Sequence, residues 1–223
     1  MTSLVGPALT AAGAWLLTTG AHAAGGHFDV DDATVLDPGH CQYETWLARA
    51  PSTPATLFHL GPGCRLGPVE VGFNYDRLAV SGDTRASVGP QLKWVADPLL
   101  GAFSAGVAWT AAHDLGHGGR PAHTLYAPVT WVVNDRVALN ANVGADWSFA
   151  GARTRRLGVS GEWIAQARLT LIGERVKFAD AWTSRLGARF MVDPSISIDL
   201  SAARVGPRAT HLYVLGLNHD FAR

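Results

Sequence analysis

Read from Val69, the chain alternates. Val69, Val71, Phe73 and Tyr75 share one side, and Glu70, Gly72, Asn74 and Asp76 share the other. A period of two belongs to a strand, whose successive side chains point to opposite faces. No helical period fits these positions as well. The pattern recurs down the chain. Val88, Pro90, Leu92 and Trp94 alternate with Gly89, Gln91 and Lys93. Phe103, Ala105, Val107 and Trp109 alternate with Ser104, Gly106 and Ala108. Leu125, Ala127, Val129 and Trp131 alternate with Tyr126, Pro128 and Thr130. The run from Val137 to Trp147 sets Asn140, Asn142, Gly144 and Asp146 against its apolar positions, and Leu157 to Trp163 sets Gly158, Ser160 and Glu162 against its own. Later runs are noisier: Leu169 and Leu171; Leu186, Ala188 and Phe190 opposite Arg185 and Arg189; Ile196 to Ala202 opposite Asp199; and Tyr213 to Phe221. Segments at about 41–49 and 56–64 complete a count of about twelve, within a range of ten to twelve.

One face of nearly every run is apolar and uncharged, while the other is polar and rich in glycine. A soluble sandwich buries its apolar face. A membrane barrel turns that face to lipid and keeps the polar one for the lumen. Alternation alone does not separate the two. Aromatic placement favours the barrel. If Val69–Tyr75 runs up, Tyr75, Trp109 and Trp147 fall at the upper rim. Trp94, Trp131, Trp163 and Phe221 then fall at the lower rim. With Tyr213 they form the expected membrane-belt aromatics, since amphipathic rings settle at lipid–water boundaries. Connection length points the same way. Links at 97–101, 134–136 and 193–195 read as short turns, and those at about 49–55, 78–86, 112–122, 148–154 and 178–183 as longer loops. That is the asymmetry of periplasmic turns and outer loops, and it puts both termini on the short-turn side. The fold class expected is all-β: a closed antiparallel up-and-down transmembrane β-barrel of about 12 strands.

The last strand carries Gly216, then His219, then Phe221. It resembles the C-terminal recognition signal of bacterial outer-membrane β-barrel proteins, a glycine followed by alternating, usually aromatic positions that end in Phe. His219 stands where an aromatic is usual, and Ala222-Arg223 extend past the terminal Phe. The resemblance implies the outer membrane of a Gram-negative bacterium and insertion by the barrel-assembly machinery. It identifies no subfamily.

The N-terminal residues read as an export signal. Leu4 to Leu17 is largely apolar, and Ala21-His22-Ala23 has the small-x-small form of a cleavage site. No Lys or Arg precedes the apolar run, and a single membrane anchor is the competing reading. The expected division is a signal peptide at 1–23 cleaved after Ala23, a periplasmic N-terminal segment at 24–40, and the barrel at 41–223. After residue 24 no run of eighteen apolar residues remains to form a transmembrane helix.

Composition fits this picture. The 223 residues carry a formal net charge of zero, with 48% hydrophobic and 16% charged residues. That is not the composition of a disordered chain, and without a basic excess nucleic acid is not an expected partner. Export makes a disulfide the default for the two cysteines, Cys41 and Cys64, which lie at the same end of the first hairpin. Two free thiols in a redox pair are the alternative, and the spacing lacks the usual redox motif.

The polar face supplies the expected lumen lining: Glu70, Asn74, Asp76, Gln91, Lys93, Asn140, Asn142, Asp146, Glu162, Arg185, Arg189 and Asp199. Glu44 and Glu174 share it. Twelve strands leave a narrow lumen, which could be plugged or conducting. The segment holding His27, Asp29, Asp31, Asp32, Asp37 and His40 reads as a solvated tail or as a piece tucked into the barrel mouth. Metal binding is its less favoured alternative. His113, Asp114, His117 and His123 read as surface residues of the longest outer loop. No metal, cofactor or catalytic residue is expected: Ser87, Ser160 and His211 occur without a nucleophile elbow, a phosphate loop or a zincin helix. The function expected is a narrow channel or transporter for small polar solutes, with the lipid bilayer as standing partner. A structural barrel presenting its outer loops, and less favourably an embedded hydrolase, are the alternatives.

Overall fold

The computed structural model describes residues 26–96, 101–178, 181–206 and 210–223. The expected signal peptide and its cleavage site lie outside the described residues. Among the described residues the chain forms twelve strands: β1 (His40–Ala50), β2 (Ala55–Leu66), β3 (Val69–Val80), β4 (Asp83–Val95), β5 (Phe103–Asp114), β6 (Ala122–Asn134), β7 (Val137–Trp147), β8 (Arg153–Gln166), β9 (Leu169–Phe178), β10 (Ala181–Met191), β11 (Ile196–Val205) and β12 (Thr210–Ala222). Each pairs antiparallel with its sequence neighbours. β12 returns to pair with β1, so the sheet closes and leaves no edge. Closure is what hydrocarbon demands, because every backbone N–H and C=O must find a partner within the chain. Strands run from 10 residues in β9 to 14 in β8, enough to cross a bilayer core at a tilt.

The barrel is inside out relative to a soluble protein. Leu186 is 75% exposed, and Leu200, Val143 and Val159 more than half, whereas Asp199 is fully buried and Asn140 and Asn142 nearly so. Such exposure of branched apolar side chains on alternate positions is costly in water and suits an acyl-chain surround.

Three connections differ from expectation. The link expected as a loop at 78–86 is a two-residue turn, since β3 and β4 pair to Val80↔Asp83. Ser81 and Gly82 both take positive φ, 50° and 91°, the backbone of a type I′ turn whose twist matches the flanking strands. The alternation fades there because the strands rise above the apolar band, not because they end. His113 and Asp114 likewise close β5, and His123 lies in β6, so of the four residues expected on the longest outer loop only His117 is in a loop. Asp114 holds that loop by accepting hydrogen bonds from the Gly116 and His117 amides, at 2.8 and 3.1 Å. The expected loop at 178–183 narrows to residues 179–180, which lie outside the described residues.

Cys41 and Cys64 face each other directly across β1 and β2 and form a disulfide. It joins the first hairpin at the end where the last strand also finishes, Cys41 pairing on its other side with Phe221.

Candidate functional site: the barrel lumen

Residues 26–36, ahead of β1, do not trail away from the barrel. They wind round the inside of its wall. The Gly26 amide donates to Glu44 on β1 at 2.6 Å, and His27 Nε2 meets Ser201 Oγ on β11 at 2.7 Å. The Asp29 and Val30 amides donate to the two oxygens of Glu174 on β9, at 3.1 and 2.9 Å. The Asp31 amide donates to Asn142 on β7 and the Ala33 amide to Thr130 on β6, both at 2.8 Å. Leu36 ends the circuit: its amide donates to Glu70 on β3, and its carbonyl accepts from Arg65 on β2 at 2.8 Å. The segment has no sheet or helix of its own, and lumen side chains satisfy many of its backbone polar groups, while the Asp32 amide turns to Asp31.

Charge fixes it further. Lys93 on β4 reaches Asp31 at 2.8 Å and Asp32 at 2.9 Å, and Asp31 also accepts from the Tyr126 hydroxyl at 3.0 Å. Thr34 hydrogen-bonds Asp32. Arg185 on β10 bridges Asp29 at 2.6 Å and Glu174 at 2.8 Å. Burial pushes the Asp31 carboxyl above the ordinary carboxylate range, with Lys93 working against it. Burial, helped by the Arg185 charge, pulls the His27 imidazole down to about 4, so it is neutral at pH 7.

Apolar contacts and glycines complete the seat. Phe28 packs on Ile172, and Val30 and Ala33 are buried. A Cβ on Gly158 would stand 2.8 Å from a Val30 methyl, and one on Gly216 3.1 Å from His27 Nδ1. Glycine on the inward face therefore makes room for the segment.

The twelve residues expected to line the lumen lie on the inward side of their strands. Beyond Glu70, Lys93, Asn142 and Arg185 just described, Asn74 donates to Gln91 at 3.0 Å, and Asp76 meets His59 at 2.7 Å. Asn140 donates to Glu162 at 2.6 Å, and Asp146 accepts from Thr124 at 2.8 Å. Arg189 forks onto Asp199 through two bonds of 2.8 and 2.7 Å. The eight aromatics expected at the rims lie on the outward side, with Trp94, Trp131, Trp163, Tyr213 and Phe221 exposed and Tyr75, Trp109 and Trp147 half-buried. Of the residues weighed for hydrolysis, Ser160 points into the lumen and His211 outward, which keeps them on opposite faces of the wall.

Tyr126 and Thr130, on the polar face of their run, and Arg156 and His59 stand outside the expected lumen lining. All four sit at inward parity, and that parity was the available signal. His59 lies between Glu44, at 3.3 Å, and Asp76, and it stacks on Trp46 at 4.8 Å.

Comparison with known proteins adds a family. A family model described as "Uncharacterised conserved protein UCP029691" matches residues 12–208. The chain belongs to this family. None of the curated proteins compared with it matches. Among solved structures, the chain is similar to the KdgM porin in complex with disordered oligogalacturonate, with a TM-score of 0.61 and 10% identity over 82% of this chain and 99% of that one. It is similar also to the NanC porin, with a TM-score of 0.60 and 10% identity over 79% and 98%. At such identity the likeness establishes the fold, a closed antiparallel β-barrel, and nothing of the solute.

Proposed function

We propose that this family member is an outer-membrane channel for small polar solutes, narrowed from within by its own residues 26–36. One observation carries the reading: a closed barrel with a charged, hydrogen-bonding inner face, round which the N-terminal segment is wound instead of a hydrophobic core. In a channel such polar groups replace the water a solute sheds on entry. The porin fold of its structural neighbours supports the same reading, and it supports a transport role over catalysis.

The wall holds both signs of charge, and the segment adds Asp29, Asp31 and Asp32. This favours small polar or cationic solutes over an anionic oligomer of the kind named for the KdgM complex. In this reading the chain is exported by its first 23 residues, cut after Ala23, and inserted by the barrel-assembly machinery through its last strand. The aromatic side chains on the outward face would sit at the two lipid boundaries.

A second reading, a structural barrel whose outer loops meet partners, is favoured by how fully the segment's bonds occupy the inner wall. Planar-bilayer recording separates the two. The channel predicts small, discrete current steps from the purified, folded chain. Silence from protein shown to be inserted would overturn the channel and leave the structural barrel.

A further inference from the structure

The outward face of the barrel has a charge asymmetry. Strand alternation and register put every strand carboxylate among the described residues at inward parity. Outward-facing cations exist, and all cluster at one end, opposite the disulfide and the chain's last residue. They are Arg49 on β1, Arg77 on β3, Arg153 and Arg155 on β8, Arg175 and Lys177 on β9, and Arg204 on β11. Among the described residues the opposite rim has none on its strands.

The densest part spans β8 to β11. Arg175 and Arg204 both stand opposite Ser184 on the intervening strand, so two guanidinium groups flank one hydroxyl in a single row. Their Cα atoms are then two strand spacings apart, on the order of 10 Å. Arg175 donates to the Ser184 hydroxyl at 3.1 Å and lies over the Trp182 ring at 4.9 Å, while Arg153 lies over Trp147 at 5.5 Å. These contacts hold flat cationic groups against the wall at the level of the upper aromatic residues, with their charge turned to the membrane boundary.

We propose that this rim binds a lipid bearing exposed phosphate groups, in the leaflet opposite the Cys41–Cys64 disulfide and Arg223, with Arg175, Ser184 and Arg204 as the central contact. Guanidinium forks match phosphate oxygens, and among the described residues the strands turn no carboxylate outward beside them. A zwitterionic headgroup would bring its own cation into the row and gain little. Neighbouring apolar positions below it, Leu186 and Leu200, are among the most exposed on the barrel and would receive the acyl chains. The inference rests on the membrane-spanning reading above, though not on conduction.

The test is native mass spectrometry of the full, folded chain, released from micelles holding a diphosphorylated lipid A or the same lipid with its phosphates removed. The wild-type chain should retain the phosphorylated form preferentially. Arg175→Gln/Arg204→Gln should weaken that retention by about tenfold or more, from the loss of two charges at a membrane surface, and leave single-channel behaviour unchanged. Equal retention of the two lipids by the wild-type chain would overturn the proposal without any variant. So would undiminished retention by the folded double variant.

Discussion

At the scale of single residues, Lys93 decides most. It is the cation shared by Asp31 and Asp32, and all three are largely enclosed. Removing one partner of a buried ion pair strands the other, at about 3–5 kcal/mol. Lys93→Met is therefore expected to release the segment from the wall while leaving the barrel closed. Current steps in a planar bilayer should grow in this variant, and an unchanged step size would argue that the segment does not constrict the path. The carboxylates of the segment were visible in the sequence as a cluster, but their partners were not. Nothing local to Asp31 points to Lys93, because the two are brought together by a circuit of the barrel.

At the scale of elements, the strands were legible because lipid on one side and water or polar contacts on the other impose a strict period of two. The noisier runs have a physical cause. Ile172 and Val176 break the polar pattern of β9 by facing inward, where Ile172 receives Phe28 and Val176 lies beside the bed of Val30 at Gly158. Ser81-Gly82 was read as part of a loop because turn chemistry within two residues is easily missed when the strands extend past the apolar band. The inward glycines are the element-scale signature of the segment. Gly158→Val is expected to keep β8 paired, valine being a good strand former, yet to push Val30 off the wall. Limited proteolysis should then cut within residues 26–36 faster in this variant than in the wild-type chain. Equal resistance would show that the glycine is not a seat.

At the scale of the whole molecule, two opposed surfaces are stacked across one sheet: an apolar exterior and a polar interior along whose wall residues 26–36 run. The barrel, and which side chains face outward, followed from alternation. The course of the segment did not, since an irregular chain leaves no period to read, and a tail and a lumen lining have the same composition. The single most direct test is hydrogen exchange of the backbone amides of Val30, Asp31 and Ala33 in the folded, detergent-held chain. They lie in no strand, yet each donates to a lumen side chain. They should exchange at least about a hundredfold more slowly than in an unstructured peptide. Exchange at the free-peptide rate would contradict the account, for it would put the segment outside the barrel and leave the lumen empty.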